Sequence, residues 1–166
     1  MEANRTAQVG DLAGGLTRGV PRRILVVDDE AAIRLFSSVV LRSSGYEVDA
    51  AEDGAAGWEA LHAKDYDLLI TDNQMPKVSG VELINWLHDA QMELPVIMAS
   101  GSFPVDELTR NPALQLAAAL AKPFSGDQLL KTVNEVLGAA PERLDFQPSW
   151  RSQPSAELRL KAYQTP

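Results

Sequence analysis

The stretches "ILVVDDE" (residues 24–30) and "LLITDNQMPKVSG" (residues 68–80) each run from apolar residues directly into carboxylates. Their apolar parts are too short for helices, and unbroken apolar runs of this length are typical of parallel strands buried on both faces. Asp28 and Asp72 follow where these strands are expected to end. The sequence therefore predicts a charged site at the edge of a buried sheet.

The same alternation of strand and helix signals continues along the chain. Residues 96–98 and 116–120 predict two more buried strands, and the alternating residues 46–50 predict an edge strand. Helix signals lie between the strands. They are an N-cap at Asp53, capping boxes at Ser79 with Glu82 and at Ser125 with Gln128, and stops at Gly45 and Gly138.

Two helical segments carry further expectations. The segment 105–109 is long enough only for a short helix, and residues 111–112, Asn-Pro, predict a fresh N-cap and first helical position after it. The helix predicted over residues 30–42 has one apolar side, which we expect to pack on the sheet. That side consists of Ile33, Phe36, Val40 and Leu41.

These elements sum to five strands alternating with helices over about residues 22–140, which predicts an α/β fold with a doubly wound parallel sheet. Residues 1–21 and 141–166 are predicted to be flexible tails, the second with room for a short helix. An alternative hypothesis for the second tail is that Phe146 and Trp150 dock on the domain or on a partner.

Composition narrows the class of protein. The chain has 166 residues and a formal net charge of -8, and residues 24–140 alone carry -11. This acidity argues against nucleic acid or a membrane surface as a direct partner, since both repel acidic proteins. The chain has no cysteine, which excludes disulfides and thiolate metal sites, and no apolar run long enough to span a membrane. We therefore expect a cytoplasmic protein.

Polar residues follow four of the predicted strands. They are Asp28 and Asp29, then Asp72, Ser100 and Lys122, and the carboxyl ends of parallel strands meet in one crevice. Packed carboxylates repel each other unless a cation neutralises them, and Mg²⁺ prefers oxygen ligands. A cation, an ammonium and a hydroxyl can together stabilise a transferring phosphoryl group. This leaves Asp72 as a carboxylate nucleophile able to form an acyl phosphate.

The chain resembles a known family in these residues. "ILVVDDE", "LLITDNQMPKVSG", "LPVIMASG" and "AKPF", in this order, are similar to the receiver domain of two-component response regulators. The resemblance covers about residues 22–140 and implies the flavodoxin-like strand order 2-1-3-4-5. It further implies that Asp72 accepts a phosphoryl group from a histidine kinase, that Ser100 moves onto the phosphoryl oxygens, and that Lys122 pairs with them.

The resemblance also implies a metal site and its supporting loop. Asp28 and Asp29 match the acidic pair that binds Mg²⁺, Asp29 being the more direct ligand. The phosphoacceptor Asp72 and the backbone carbonyl of Gln74 complete the metal shell. The remaining matches are structural: Met75, Pro76 and Gly80 in the loop that positions the phosphorylation site, and Pro123, which the family holds in a cis peptide bond.

Two departures from the family pattern concern the signalling face. The family usually has a tyrosine or phenylalanine three residues before the lysine, and this chain has Ala119. The helix before the fifth strand is interrupted at residues 111–112. Both features predict that the signal leaves the domain by an unusual route.

The expected function is a stand-alone receiver, phosphorylated at Asp72 and acting through protein contacts rather than as an enzyme. The expected partners are a sensor histidine kinase or a phosphotransfer protein and an unknown downstream protein, and the resemblance allows a homodimer. Two alternatives remain open. One is a receiver-fold scaffold that works without phosphorylation. The other is a phosphohydrolase with an aspartyl nucleophile, but such enzymes of the haloacid-dehalogenase type have Asp-x-Asp after the first strand, and this chain has Glu30 in place of the second aspartate.

Overall fold

A five-stranded parallel sheet forms the centre of the protein in a computed structural model that describes residues 20–110 and 114–138. The strand order is β2-β1-β3-β4-β5, and every neighbouring pair is parallel. This confirms the predicted doubly wound, flavodoxin-like order. The strands are β1 (Arg23–Val27), β2 (Glu47–Ala51), β3 (Leu68–Thr71), β4 (Val96–Ser100) and β5 (Ala118–Ala121).

Helices follow the strands and cover both faces of the sheet. Leu41 of the first helix and Leu129 of the last pack in one apolar cluster, whereas Leu61 and Leu83 of the second and third helices pack in another. The helices are α1 (Ala31–Ser43), α2 (Gly54–Ala63), α3 (Gly80–Asp89), α4 (Val105–Arg110) and α5 (Gly126–Leu137). Every connection from strand to helix therefore opens at one edge of the sheet, where the carboxyl ends of the strands lie.

Local capping chemistry fixes where these helices begin and end. Ser79 and Ser125 form complete capping boxes with Glu82 and Gln128, as predicted. The side chain of Asp53 accepts a hydrogen bond from the backbone N–H of Ala56 at the start of α2. At the other ends, Gly45 follows α1 with φ +93° and Gly138 follows α5 with φ +71°, in the left-handed region that favours glycine.

Two predictions about burial are wrong. β5 was predicted to be a buried strand, but it lies at the edge of the sheet, with Ala119 and Ala121 exposed. The predicted apolar side of α1 does not pack as a unit. Ser37 and Ser38 face inward with Leu41, while Phe36 remains 39% exposed. The orientation of α1 is set by its contacts with β2 and α5, which the helical pattern alone does not contain.

The remaining predictions fall partly outside the described residues. The second helical turn expected from residues 111–112 lies there, and residues 114–117 contain no helix. The predicted tails also lie outside the described part of the chain, apart from residues 20 and 21. Within residues 20–110 and 114–138, no helix combines the length and apolar character needed to cross a membrane.

Candidate functional site

The ammonium group of Lys122 lies between two carboxylates that come from different strands. Its Nζ is 2.7 Å from Oδ2 of Asp28, which follows β1, and 2.8 Å from Oδ2 of Asp72, which follows β3. Lys122 itself follows β5, so three strand ends converge on one atom. The side chains of Asp28 and Asp72 are 3% and 7% exposed, so the ion pairs are largely shielded from water.

The carboxylate of Asp72 is held at both oxygens. Oδ1 accepts hydrogen bonds from the backbone N–H groups of Asn73 at 2.6 Å and Gln74 at 3.3 Å, while Oδ2 accepts from Lys122. The backbone N–H of Asp72 donates to the carbonyl of Val27, which continues the β1–β3 pairing past the end of the strand. The group therefore has a fixed orientation before any substrate arrives.

Asp28, Asp29 and Asp72 form an acidic cluster whose ligand oxygens all lie within 4.8 Å of one another. Burial raises the pKa of Asp28 above its ordinary value, the nearby charge of Asp72 adds to this, and Lys122 offsets part of it. Burial alone would lower the pKa of Lys122, but its hydrogen bonds to Asp28 and Asp72 raise it instead. One ammonium cannot neutralise three carboxylates, so this cluster could hold a hard divalent cation.

Ser100 lies at the same edge, but its hydroxyl hydrogen-bonds to the backbone of Ser102 and not to Asp72. Its Oγ donates to the carbonyl of Ser102 at 3.0 Å and accepts a longer bond of 3.4 Å from the Ser102 N–H. Its own carbonyl accepts from the backbone N–H of Lys122. The peptide bond from Lys122 to Pro123 is cis, as the family resemblance implied.

The loop after Asp72 folds back tightly on the strand. A Cβ added at Gly80 would lie 2.2 Å from the carbonyl oxygen of Asp72, so only glycine fits there. Oδ1 of Asn73 accepts from the backbone N–H of Val81, and its carbonyl accepts from Gly80. Between these anchors lie Met75, which is half-buried, and Pro76, which is exposed. The role of Gln74 as a metal ligand stays a prediction, as do the functional roles of Met75 and Pro76.

Comparison with known proteins decides the family. Residues 24–134 match the response regulator receiver domain family. The chain belongs to that family. The chemotaxis protein CheY4 of Vibrio cholerae has a similar fold. Its sequence is 29% identical to this chain, and the TM-score is 0.66 over 71% of this chain and 100% of CheY4.

Two further relatives are response regulators. TrrA of Thermotoga maritima, solved in complex with Mg²⁺-BeF, is 30% identical, with a TM-score of 0.62 over 70% of this chain and 99% of that one. The cell cycle transcriptional regulator CtrA of Caulobacter vibrioides is 27% identical over 115 residues, which cover 69% of this chain and 50% of that one. The receiver domain thus matches about half the length of CtrA.

Three supporting contacts of this receiver domain did not follow from the sequence. Arg34 on α1 donates to the backbone carbonyls of Asp28 at 2.6 Å and Asp29 at 2.8 Å, which fixes the acidic turn. Glu30 lies 3.2 Å from the ammonium of Lys122. The third contact joins Lys77, which follows the Met-Pro pair, to Asp53 at 2.5 Å. Of the residues in these contacts, only Glu30 could have been found from the sequence, since it continues the acidic run after β1.

Asp53 ties the loop after Asp72 to the start of α2, and its removal should destabilise the receiver domain. Burial alone would raise the pKa of Asp53, but hydrogen bonds from Lys77 and from backbone N–H groups lower it overall. We expect Asp53→Ala to lower the free energy of unfolding by about 1 kcal/mol through loss of the helix cap.

The pH dependence of this effect follows from the lowered pKa. The contribution of Asp53 is present above the ordinary aspartate pKa of about 3.9 and is lost as the pH falls through the lower folded value. Urea unfolding of the native chain and Asp53→Ala at pH 7 and at pH 3 measures this. If the difference in unfolding free energy between the native chain and Asp53→Ala does not become smaller at pH 3, this pH dependence is contradicted. Asp53→Asn can keep the helix cap and should therefore lose less stability than Asp53→Ala.

Lys122 should weaken cation binding to the acidic cluster, because its positive charge lies beside the same carboxylates. Removing a unit charge at about 4 Å is worth roughly 1 kcal/mol even in bulk water and more at a protein surface. We expect Lys122→Met to raise Mg²⁺ affinity about ten-fold, since about 1.4 kcal/mol corresponds to that factor. Calorimetric titration checks this against Lys131→Met, which removes an exposed lysine of α5. Unchanged or weaker binding in Lys122→Met would show that the lysine does not oppose the cation.

Proposed function

We propose that this receiver domain accepts a phosphoryl group on Asp72 in a Mg²⁺-dependent reaction and thereby switches its contacts with other proteins. The observation that carries the proposal is the position of Asp72. Its Oδ2 lies 2.8 Å from the ammonium of Lys122, which is half-buried, and its carboxylate belongs to an acidic cluster that could hold a cation. The membership of the family supports the same assignment.

Asp72 acts as the nucleophile in this proposal. One of its carboxylate oxygens forms a bond to phosphorus, the bond from phosphorus to a histidine ring nitrogen of the donor breaks, and the electron pair stays on that nitrogen. The backbone N–H groups of Asn73 and Gln74 hold the carboxylate in orientation through Oδ1. Because the carboxylate is already oriented, less entropy is lost when the reacting groups reach the transition state.

Asp28, Asp29, Asp72 and the backbone carbonyl of Gln74 are the groups that would hold Mg²⁺. When bound, Mg²⁺ neutralises charge on the phosphoryl oxygens during transfer. Lys122 can then pair with the phosphoryl oxygens in place of the unmodified carboxylate. Ser100 can supply a second donor if its hydroxyl leaves the carbonyl of Ser102, which it now bonds at 3.0 Å.

The proposed donor is a sensor histidine kinase or a phosphotransfer protein, and the proposed output is a change in protein contacts. The acidic character of the domain supports a protein output over direct nucleic-acid binding, because like charges repel. The chain's own chemistry is proposed to be limited to forming and losing the acyl phosphate at Asp72. Repeated turnover of a small phosphate ester by the purified protein would instead favour the phosphohydrolase alternative.

A scaffold that works without phosphorylation is the second candidate, and Ala119 is the observation that favours it. Ala119 is exposed on β5, the strand that Lys122 follows. Its side chain is a single methyl group, which cannot change between an inward and an outward rotamer as a large aromatic ring can. Partner affinity that is equal for the phosphorylated and unphosphorylated chains would favour this candidate.

The experiment that tests the proposal is intact mass measurement after incubation with a small-molecule phosphodonor, with and without Mg²⁺. We expect a single phosphoryl adduct that requires Mg²⁺. No adduct in either condition, with the chain shown to be folded by circular dichroism, would contradict phosphorylation and leave the scaffold as the better account.

A further inference from the structure

The outer surface of α1 carries an apolar patch, defined here as Leu35, Phe36 and Val39. These side chains are 66%, 39% and 56% exposed. Among the residues whose side-chain burial the structure describes, five large apolar side chains are exposed, and three of them belong to this patch. Isolated exposed apolar residues are ordinary, but three on neighbouring turns of one helix are typical of a covered surface.

The chain leaves α5 beside the C-terminal end of α1, the helix that carries the patch. Phe36 packs near Phe124, with ring centroids 6.2 Å apart, so the patch adjoins the start of α5. At the other end, the hydroxyl of Tyr46, just after α1, donates to Oδ1 of Asn134 at 2.7 Å. α5 ends one turn later at Leu137. The two helices therefore lie side by side, and the segment after Gly138 starts beside the C-terminal end of α1.

We propose that the segment 141–150, "PERLDFQPSW", covers the apolar patch of α1 through Phe146 and Trp150. Its reach is sufficient. Val39 lies four residues before the end of α1, about 6 Å along the helix axis at 1.5 Å per residue. The eight residues from Gly138 to Phe146 span up to about 26 Å when extended, which also covers the distance to Leu35.

The chemistry of the segment fits an apolar patch of this size. It offers Leu144, Phe146 and Trp150 within seven residues, while two prolines limit the freedom that the segment would lose on docking. Aromatic side chains are the strongest anchors on such surfaces because each buries a large apolar area. A protein that uses the α1 surface would have to displace this segment. The proposal does not depend on phosphorylation of Asp72.

A spin label beside Trp150 tests the contact in the full chain. The chain has no cysteine, so Ser149→Cys provides a single attachment point. In isotope-labelled protein, we expect the backbone amide signals of Leu35, Phe36 and Val39 to lose most of their intensity when the label is paramagnetic. The amide signals of α3, which lies on the opposite face of the sheet, should keep their intensity. Equal loss on both faces, or no loss, would overturn the proposal.

Two controls separate this contact from other occupants. Leu35→Ser with Val39→Ser changes exposed positions only and should restore the signal of Phe36 if the patch holds the segment. Phe146→Ala with Trp150→Ala should do the same without altering α1. Mixing spin-labelled chains that lack the isotope with isotope-labelled chains that lack the label detects contact between copies. Signal loss on α1 in that mixture equal to the loss within one chain would assign the patch to a second copy and overturn the proposal.

Discussion

Asp72→Ala is expected to abolish phosphoryl acceptance completely while the protein stays folded. The nucleophilic oxygen is removed, and no other carboxylate in the described crevice has both Lys122 and two backbone N–H groups as hydrogen-bond donors. The fold should survive because Lys122 retains Asp28 as a partner at 2.7 Å, so neither charge is left buried and unpaired. Intact mass after incubation with phosphodonor and Mg²⁺ measures the adduct, and thermal unfolding checks the fold.

A matched aspartate separates loss of the nucleophile from loss of any carboxylate. Asp49 on β2 forms an ion pair with Lys64 at 2.9 Å and does not belong to the acidic cluster. Asp49→Ala should therefore be phosphorylated to the same extent as the native chain. An adduct on Asp72→Ala equal to that on the native chain would place the phosphoryl group on another residue and refute the assignment.

Gly80→Ala is expected to destabilise the protein by about 3 kcal/mol or more, at the upper end of what overpacking costs. The added Cβ would meet the carbonyl oxygen of Asp72 at 2.2 Å and its carbonyl carbon at 3.0 Å. Backbone atoms cannot rotate away as a flexible side chain can, so the loop and the strand end must separate. Urea unfolding gives the loss of stability, and the same displacement should lower phosphorylation of the fraction that remains folded.

Gly101 provides the control for this substitution. It also lies at the carboxyl edge of the sheet, after β4, but a Cβ added there would have no heavy atom within 4 Å. Gly101→Ala should therefore change stability by no more than about 0.5 kcal/mol, as is usual for surface substitutions. Equal effects at the two glycines would mean that the close approach of Gly80 to Asp72 is not what requires glycine there.

The positions of the strands and of the charged strand ends could be predicted from the sequence. Apolar runs such as residues 24–27 report burial directly, and the rule that parallel strands share a carboxyl edge then brings Asp28, Asp72 and Lys122 together. These inferences use only local pattern and topology. Caps such as Asp53 are equally local, which is why they were also found.

The contacts that support the site could not be predicted in the same way. Lys77 and Asp53 are 24 residues apart, and their pairing depends on how the loop after β3 lies against α2. Arg34 donates to the backbone carbonyls of the acidic turn, and its place in a helical pattern does not indicate that contact. The inward turn of Ser37 likewise depends on neighbouring elements. A helical pattern shows that a helix has two sides but not which neighbours decide its rotation.

The most direct test of the central claim is to locate the phosphoryl group by chemical trapping. Hydride reduction of an acyl phosphate converts the aspartate that carries it into homoserine, which peptide mass spectrometry locates by residue. After treatment of the native chain with phosphodonor and Mg²⁺, we predict conversion at Asp72 and at no other residue. Without Mg²⁺, we predict no conversion. Conversion at Asp28, at Asp29 or nowhere in the folded protein would contradict the account.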